Sequence, residues 1–399
     1  MKIAFLGGLY PDNIGEIIKN SNSGLDFAAD AYQRNYLKCI SNKSGIDLTI
    51  LNRLFLGSWP KNYKKIWINQ SDSVGDYRTI SIAYNNVLGI RDLSQKIRTI
   101  KRVEQWCNSF STDDKLLFVY SSNFSNCLRS IKKKCKDLKV CLLIPDMPRY
   151  TYLSKQSLLR RIVLLYRQFV FEQSCKHTDL CVCITKEMKS YIENKTGAKC
   201  IVIEGIADKD RCQKNLLNVK QKGKRAKTIM YSGTLAERYG ILDLIKAFRM
   251  LEHEDVELWI CGRGDAEKDI KNVSIEDNRI KYFGSLPNER VKRMQEQCDI
   301  LVNPRRPGEM FTSFSFPSKT LEYLESGNLV VSYHLEGIPS EYFDYIVTPS
   351  DVSVEALNGA LRKCLLMDAK AIEKHRMSVL DFLISTKCES QINKVIENI

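Results

Sequence analysis

The chain of 399 residues contains no run approaching the roughly 18 consecutive apolar residues that a membrane-spanning helix needs, so an integral membrane protein is not expected. It has 14 cysteines but no CxxC pair with metal spacing; Cys181 and Cys183 form a CxC whose side chains would alternate across one strand. Four histidines, without an HExxH or a Cys/His cluster, supply no metal site. The dinucleotide fingerprint GxGxxG is missing. Gly7-Gly8-Leu9-Tyr10 does not provide it, and Gly262-Arg263-Gly264 continues to Glu267 where the third glycine belongs, which argues against nicotinamide-dependent hydride transfer. No GxxxxGK[ST] occurs, which removes P-loop phosphate chemistry. Short repeats, low-complexity tracts, recognition-helix motifs and RNP patterns are also absent, and no nucleic-acid partner is expected.

What is present describes a folded chain of about two domains, with 44% hydrophobic and 27% charged residues. The opening MKIAFLGGLYPD reads as a first strand rather than a signal peptide. The scattered cysteines read as buried reduced thiols, which places the protein in a cytosol. Charge is distributed unevenly. Residues 1–205 hold 32 Lys/Arg against 18 Asp/Glu, whereas residues 206–399 hold 29 of each, so the whole formal excess of +14 lies in the first half. A one-sided field of this kind favours anionic partners such as phospholipid surfaces or phosphorylated substrates.

Short apolar runs rich in β-branched residues recur with helix-length segments between them. In the first half they are Ile3–Leu6, Leu48–Leu51, Leu116–Tyr120, Val140–Ile144, Leu180–Ile184 and Ile201–Ile203. In the second they are Thr228–Tyr231, Val256–Cys261, Ile280–Phe283, Ile300–Asn303 and Leu329–Ser332. Several lack alternation, as parallel strands buried on both faces do. Helical patterns such as Ile241–Leu251, Asn288–Gln297 and Lys319–Glu325 intervene. The expected class is α/β, with two Rossmann-like domains joined by the polar, lysine-rich Asp208–Lys227 acting as a linker. Asp208-Lys209-Asp210 is a DxD, a pattern that holds metal in one sugar-transfer fold, but within a linker it reads as a surface loop.

The chemistry concentrates at the ends of the second series of strands. Tyr231-Ser-Gly-Thr-Leu-Ala-Glu-Arg-Tyr-Gly240 joins a strand to a helix through a glycine turn, with Arg238 near the helix start. Leu258–Gly264 ends in glycines around Arg263, Phe283-Gly-Ser-Leu-Pro287 ends a third strand, and Asn303-Pro-Arg-Arg-Pro-Gly308 a fourth. Ser315-Phe-Pro-Ser-Lys-Thr-Leu-Glu-Tyr-Leu-Glu-Ser-Gly327 then opens a helix whose free amides, with Lys319, favour an anion. Glu322 lies one turn further on the same face. Each feature alone reads equally as a cap, a turn or a salt bridge. Together, a cation and helix amides for phosphate and a carboxylate for hydroxyls describe a nucleotide-sugar site.

The run Tyr231–Ser332 resembles the donor domain of the family 4 retaining glycosyltransferases of GT-B fold, closest to bacterial surface-polysaccharide enzymes of capsule or O-antigen type with an NPR…FPSK..EY..SG segment. A looser likeness covers the first half through Gly7-Gly8, Pro145-Asp146-Met147-Pro148, Asp179–Tyr191 and Val202–Gly205. The resemblance implies two domains facing a cleft: an acceptor domain (1–207), a donor domain (208–376) and a C-terminal helix (377–399) packing back on the first. It implies transfer of a sugar from a UDP- or GDP-linked donor to a hydroxyl of a lipid-linked (polyprenyl-diphosphate) or other saccharide acceptor, with no cofactor and no metal. Donor contacts carried over by the resemblance fall on Gly233, Arg263, Gly284, Leu286, Ser318, Lys319 and Glu322; Gly7, Gly8, Thr234, Arg238 and Arg305 are further donor-contact candidates, with Arg238, Arg263 or Arg305 supplying the phosphate charge. Catalytic candidates are Asp146, Lys319, Arg263 and Glu309. Phe314 occupies the position of the family's first E-x7-E glutamate, leaving Glu309 as its nearest substitute, and the usual Arg and Lys after the first glycine turn fall on Thr234 and Tyr239. Pro145-Asp146 stands where many members have a histidine. A nucleotide-sugar epimerase of the same fold, or an inactive scaffold-like homologue, are the alternative readings.

One helix speaks to location. In Ser157–Glu172, Leu158, Leu159, Ile162, Val163, Leu165, Tyr166, Phe169 and Val170 form a broad apolar face, expected to pack on the sheet. The opposite face, with Arg160, Arg161 and Arg167 around Leu164 and Phe171, is expected to meet an anionic membrane at the inner face of the plasma membrane.

Overall fold

The computed structural model describes the chain except for residues 23–24, 70–72, 112–113, 149–157, 218–225, 253–254 and 309, and the side chains of 158–160 and 310–311. The chain divides into two compact units, Met1–Ile206 with Glu389–Ile399, and Ala207–Cys388.

In the first unit the chain runs β1 (Lys2–Gly7), α1 (Gly15–Asn20), α2 (Phe27–Ser41), β2 (Asp47–Asn52), β3 (Trp67–Ile68), β4 (Arg78–Ser81), β5 (Tyr84–Asn85), α3 (Arg91–Asn108) and β6 (Lys115–Tyr120). It continues through a 3-10 turn (Ser122–Cys127), α4 (Leu128–Lys134), β7 (Lys139–Ile144), α5 (Leu158–Cys175), β8 (Leu180–Cys183), α6 (Lys186–Thr196) and β9 (Cys200–Val202). Seven strands form one sheet in the order β4-β2-β1-β6-β7-β8-β9, every neighbouring pair parallel. Uninterrupted apolar strands such as Ile3–Leu6 and Val140–Ile144 are fully buried because helices cover both faces. Phe5, Tyr36, Ile50, Phe118 and Leu143 pack with Ile392 and Val395 in the core of this unit. Short β3 and β5 pair separately as an antiparallel ribbon. Strand periodicity had no purchase on two-residue elements, nor on β4, whose Arg78-Thr79-Ile80-Ser81 is half polar.

The second unit runs α7 (Lys209–Leu217), β10 (Lys227–Ser232), α8 (Ile241–Arg249), β11 (Val256–Cys261), α9 (Glu267–Glu276), β12 (Ile280–Tyr282), α10 (Asn288–Gln297) and β13 (Ile300–Asn303). After α11 (Met310–Ser313) come α12 (Ser318–Leu324), β14 (Leu329–Ser332), β15 (Ile346–Val347), α13 (Val354–Leu365) and α14 (Ala369–Thr386). Its six-stranded parallel sheet has the order β12-β11-β10-β13-β14-β15. The order reverses between β11 and β13, on either side of β10. At such a switch point diverging loops leave room for a ligand beyond the strand ends.

Three expectations require correction. The segment expected as a linker is in part α7, with Arg211, Cys212 and Asn215 buried. Lysines on its outer side hid the inward positions. The single C-terminal helix expected over 377–399 is instead two. Arg376, Val379, Leu380 and Leu383 bury α14 in the second unit, where Arg376 donates to the carbonyls of Asn215 and Leu216 on α7. Only α15 (Glu389–Asn398) joins the first unit, packing on α2 and β8.

The third correction concerns α5, which is turned the other way round. Phe171 is completely buried and Gln168 nearly so, whereas Ile162, Val163, Leu165, Tyr166 and Phe169 are 49–67% exposed. Phe171 is therefore no surface residue, and Leu164 is only half-buried. Arg161 and Arg167 are exposed; the side chain of Arg160 lies outside the described residues. A helical period fixes which residues share a face. It does not fix which face the protein covers.

Candidate functional site

In the second unit the parallel strands deliver their carboxyl ends to one edge, and hydrogen bonds lock the loops beyond them together. Gly233 N–H donates to the Cys261 carbonyl (3.0 Å), Leu235 N–H to the Arg263 carbonyl (2.9 Å) and Gly262 N–H to the Gly284 carbonyl (2.8 Å). Gly262 is at φ +144°, and a Cβ there would lie 1.8 Å from the Gly233 carbonyl oxygen; one at Gly264 would lie 2.2 Å from that of Leu235. These glycines exist because one loop backbone presses on the next. Gly284, at φ +66°, faces open space and needs glycine for its backbone alone. The glycine turns that marked the motif thus form one platform.

Helix α12 is fixed against this platform by Tyr323, whose hydroxyl accepts from Ser232 N–H (2.9 Å) and donates to the Ser232 carbonyl (3.0 Å). That contact brings Lys319 and Glu322 to the end of β10. Lys319 Nζ donates to both Glu322 carboxylate oxygens (2.8 and 2.9 Å), and Gln295 Nε2 donates to Glu322 Oε1 (2.6 Å) and to Ser232 Oγ (3.0 Å). Burial by itself would raise the Glu322 pKa, but Lys319 and Gln295 outweigh it and hold the carboxyl below its ordinary value. Glu322 is therefore an anion with acceptor capacity for a hydroxyl, and Lys319 is a cation one turn away.

Behind this pair stands Arg211 of α7, buried, donating to Gln295 Oε1 (3.0 Å), the Glu322 carbonyl (3.0 Å), Glu325 (3.1 Å) and Glu296 (3.2 Å). Since Arg211 occupies the Gln295 carbonyl, the amide's nitrogen is left to point at Glu322. Neither Arg211 nor Gln295 was identified from the sequence, and the one available signal was an arginine among inward-facing positions of α7. Asp208 begins that helix, its carboxylate accepting from Arg211 N–H (3.4 Å) and its own N–H donating to Glu325 (2.9 Å). The DxD is thus part of a helix start in the second unit.

Further cations gather at the same strand ends. Arg238 and Arg305 each lie over the Tyr239 ring, at 5.1 and 5.4 Å from its centroid. Burial pushes the Cys261 thiol up to about 11, against the opposing pull of Arg290 and Lys319. Arg290, in the first turn of α10, is a further basic residue here that the sequence reading did not single out. Arg263 and Thr234 are exposed, Leu286 half-buried, and Ser318 opens α12 at its exposed end. Phe314 is half-buried just before α12, and Glu309 lies outside the described residues.

The remaining candidates belong to the first unit. The Cβ positions of Gly7 and Gly8 are taken up by Gln33 and by the Phe55 ring (2.3 and 2.5 Å), and Gly8 N–H donates to Gln33 Oε1 (2.9 Å). Their local role is this packing. Asp146 follows β7 and is exposed; partial loss of hydration, with repulsion from Asp26, raises its carboxyl to about 6. Its charge is felt at Tyr32 and Tyr120, whose rings lie 5.7 Å apart, and Phe55 continues the row 6.0 Å beyond Tyr120. The row belongs to the core of this unit, with Tyr120 buried and Tyr32 and Phe55 half-buried against it, so Asp146 stands at the edge of a packed aromatic cluster. All 14 cysteines are buried and free, as the scattered spacing implied.

The architecture is GT-B, two Rossmann-like α/β units. The E. coli trehalose-6-phosphate synthase bound with UDP-2-fluoro glucose matches 100% of this chain and 98% of its own at TM-score 0.65 and 8% identity. Anabaena HepE in complex with UDP matches 100% and 98% at TM-score 0.60 and 13% identity. A trehalose-6-phosphate synthase structure concerned with enzymatic glycosyl transfer with retention matches 100% and 99% at TM-score 0.63 and 9% identity. At such identities the likeness is one of fold. Residues 226–366, which carry the platform and α12, match the family model described as glycosyl transferases group 1. Comparison with curated protein sequences finds no match.

Proposed function

We propose that the chain is a retaining glycosyltransferase that moves a hexose from a UDP- or GDP-linked donor to a hydroxyl of a saccharide acceptor. The observation that carries this reading is the Lys319–Glu322–Gln295–Ser232 arrangement beside the glycine platform. A diphosphate needs preorganised positive charge where the leaving group's charge develops, and a ribose needs a carboxylate. Lys319 with Arg263, Arg238, Arg305 and Arg290 supplies the first, and Glu322 the second. Support comes from the family match over these residues and from the UDP and UDP-sugar complexes of two structural neighbours.

Catalysis rests on this protein charge without a metal, and the exposed Asp146 orients the acceptor. Surface polysaccharide built on a lipid-diphosphate carrier at the cytoplasmic face of a membrane fits the basic first half, since such an acceptor is anionic. Thermal unfolding with UDP, GDP, ADP and their sugars tests the reading, because a ligand of the native state raises its stability. A shift with one nucleotide diphosphate and its sugar is expected; no shift with any of them would overturn the donor site. If a donor binds without any transfer, Phe314 and Thr234 direct attention to an inactive homologue.

A further inference from the structure

The exposed side of α5 is a built surface that the glycosyl-transfer reading leaves unused. On a helical projection Ile162, Val163, Leu165, Tyr166 and Phe169 fill one sector of roughly 160°. All five are exposed. Arg161 borders one edge of the sector and Arg167 the other, both exposed. The only acidic side chain of the helix, Glu172, lies near the Arg161 edge but is half-buried and engaged, accepting from Gln168 (2.8 Å) and Tyr191 (2.6 Å). Underneath, Phe171, Gln168, Ser174 and Cys175 are buried and hold the helix against the 3-10 turn Ser122–Cys127 and α6.

The same 3-10 turn supports α3, which repeats the pattern in part. Leu93 and Ile97 are exposed, and Lys96 and Lys101 lie on either side of them around the helix. The strip of five belongs to α5; α3 adds a smaller apolar pair whose face also carries Glu104, engaged by Lys134 (2.6 Å), both helices lying in the half of the chain that holds the entire +14 excess.

We propose that the exposed side of α5 docks on an anionic lipid bilayer, with its apolar strip entering the boundary between headgroups and acyl chains and its arginine edges meeting lipid phosphates. Patches of this size call for a partner. A second copy fits poorly, because it would bring the same arginines against one another. Bilayer headgroups supply the missing negative charge, and their boundary accepts apolar side chains without shape matching. The inference does not rest on glycosyl transfer, since binding is read without activity. It also places the contact on the face opposite to the one containing Leu164 and Phe171.

The test is flotation of the full chain with vesicles of phosphatidylcholine alone and of phosphatidylcholine mixed with phosphatidylglycerol. Binding to the mixed vesicles only, weakened by added salt, is expected. Arg161→Gln with Arg167→Gln should weaken it roughly 30-fold, and Ile162→Ser with Phe169→Ser at least about tenfold, with thermal unfolding unchanged in both pairs. Phe171→Ser should instead lower thermal stability. Absence of flotation with the mixed vesicles, equal flotation with neutral ones, or full binding by both variant pairs would overturn the proposal. So would an Ile162/Phe169 variant altered only in self-association on sedimentation.

Discussion

The two units share a fold class and distribute charge in opposite ways. The first carries nearly the whole basic excess of the chain, yet beyond β7 it presents an acid, Asp146. Many of its lysines and arginines lie outside, on helices such as α3 and α5, although Arg53 is buried at the end of β2, donating to Thr99 and the Asn123 carbonyl. The second unit is close to neutral, yet brings Arg290, Arg305 and Lys319 to its strand ends, Lys319 paired with the half-buried Glu322, while Glu325 is buried against Arg211. Net charge therefore identifies what a unit meets with its outer surface. The chemistry of the site depends on which side chains the strand ends and the helix starts place together.

The sharpest way to break this comparison is Arg211. Burial raises the Glu325 carboxyl and Arg211 opposes it, so Arg211→Leu leaves that carboxylate buried without its cation. A loss of about 3–5 kcal/mol in the second unit is expected by denaturant unfolding, appearing as a separate early transition. A single transition shifted by less than about 1 kcal/mol would show that the network is dispensable. Next in size is Lys319→Ala, which should weaken nucleotide-diphosphate binding by about 1.5–3 kcal/mol on titration calorimetry. Unchanged affinity would remove Lys319 from the donor site.

Asp146 sharpens the comparison from the other unit. Its carboxyl is raised to about 6, so between its ordinary value and about 6 the native state holds a proton that the unfolded chain has lost. Stability therefore falls as pH rises through that window. Asp146→Asn should abolish this slope and remove the rise in transfer rate near pH 6; a rate profile identical to wild type would leave Asp146 without a role in the reaction. The smallest effect is expected from chelation. EDTA should leave turnover unchanged, and activity lost to EDTA and restored by manganese would contradict reliance on protein charge.

Much of the fold was legible because eleven strands of three to six residues announce themselves as apolar runs, and glycine turns mark where several of them end. The short pairs β3, β5 and β15 carried too few residues for any period to register. The constellation proposed to hold the donor was legible through Lys319 and Glu322, which share a helix and hence a spacing. Gln295 and Arg211 reach Glu322 from α10 and α7, and contacts across elements leave no trace in local spacing. The orientation of α5 failed for a related reason. Its apolar face is wider than its polar one, and burial of the wider face was the natural expectation, but Gln168, Ser174 and Cys175 flank Phe171 on the side that packs.

The most direct test of the account is release of nucleotide diphosphate from UDP- and GDP-sugars, measured with and without a saccharide or lipid-linked saccharide acceptor. The account predicts release that requires the acceptor, a product retaining the donor's anomeric configuration, and loss of both in Lys319→Ala. Interconversion of the donor sugar or release of free nucleotide diphosphate independent of acceptor would contradict it.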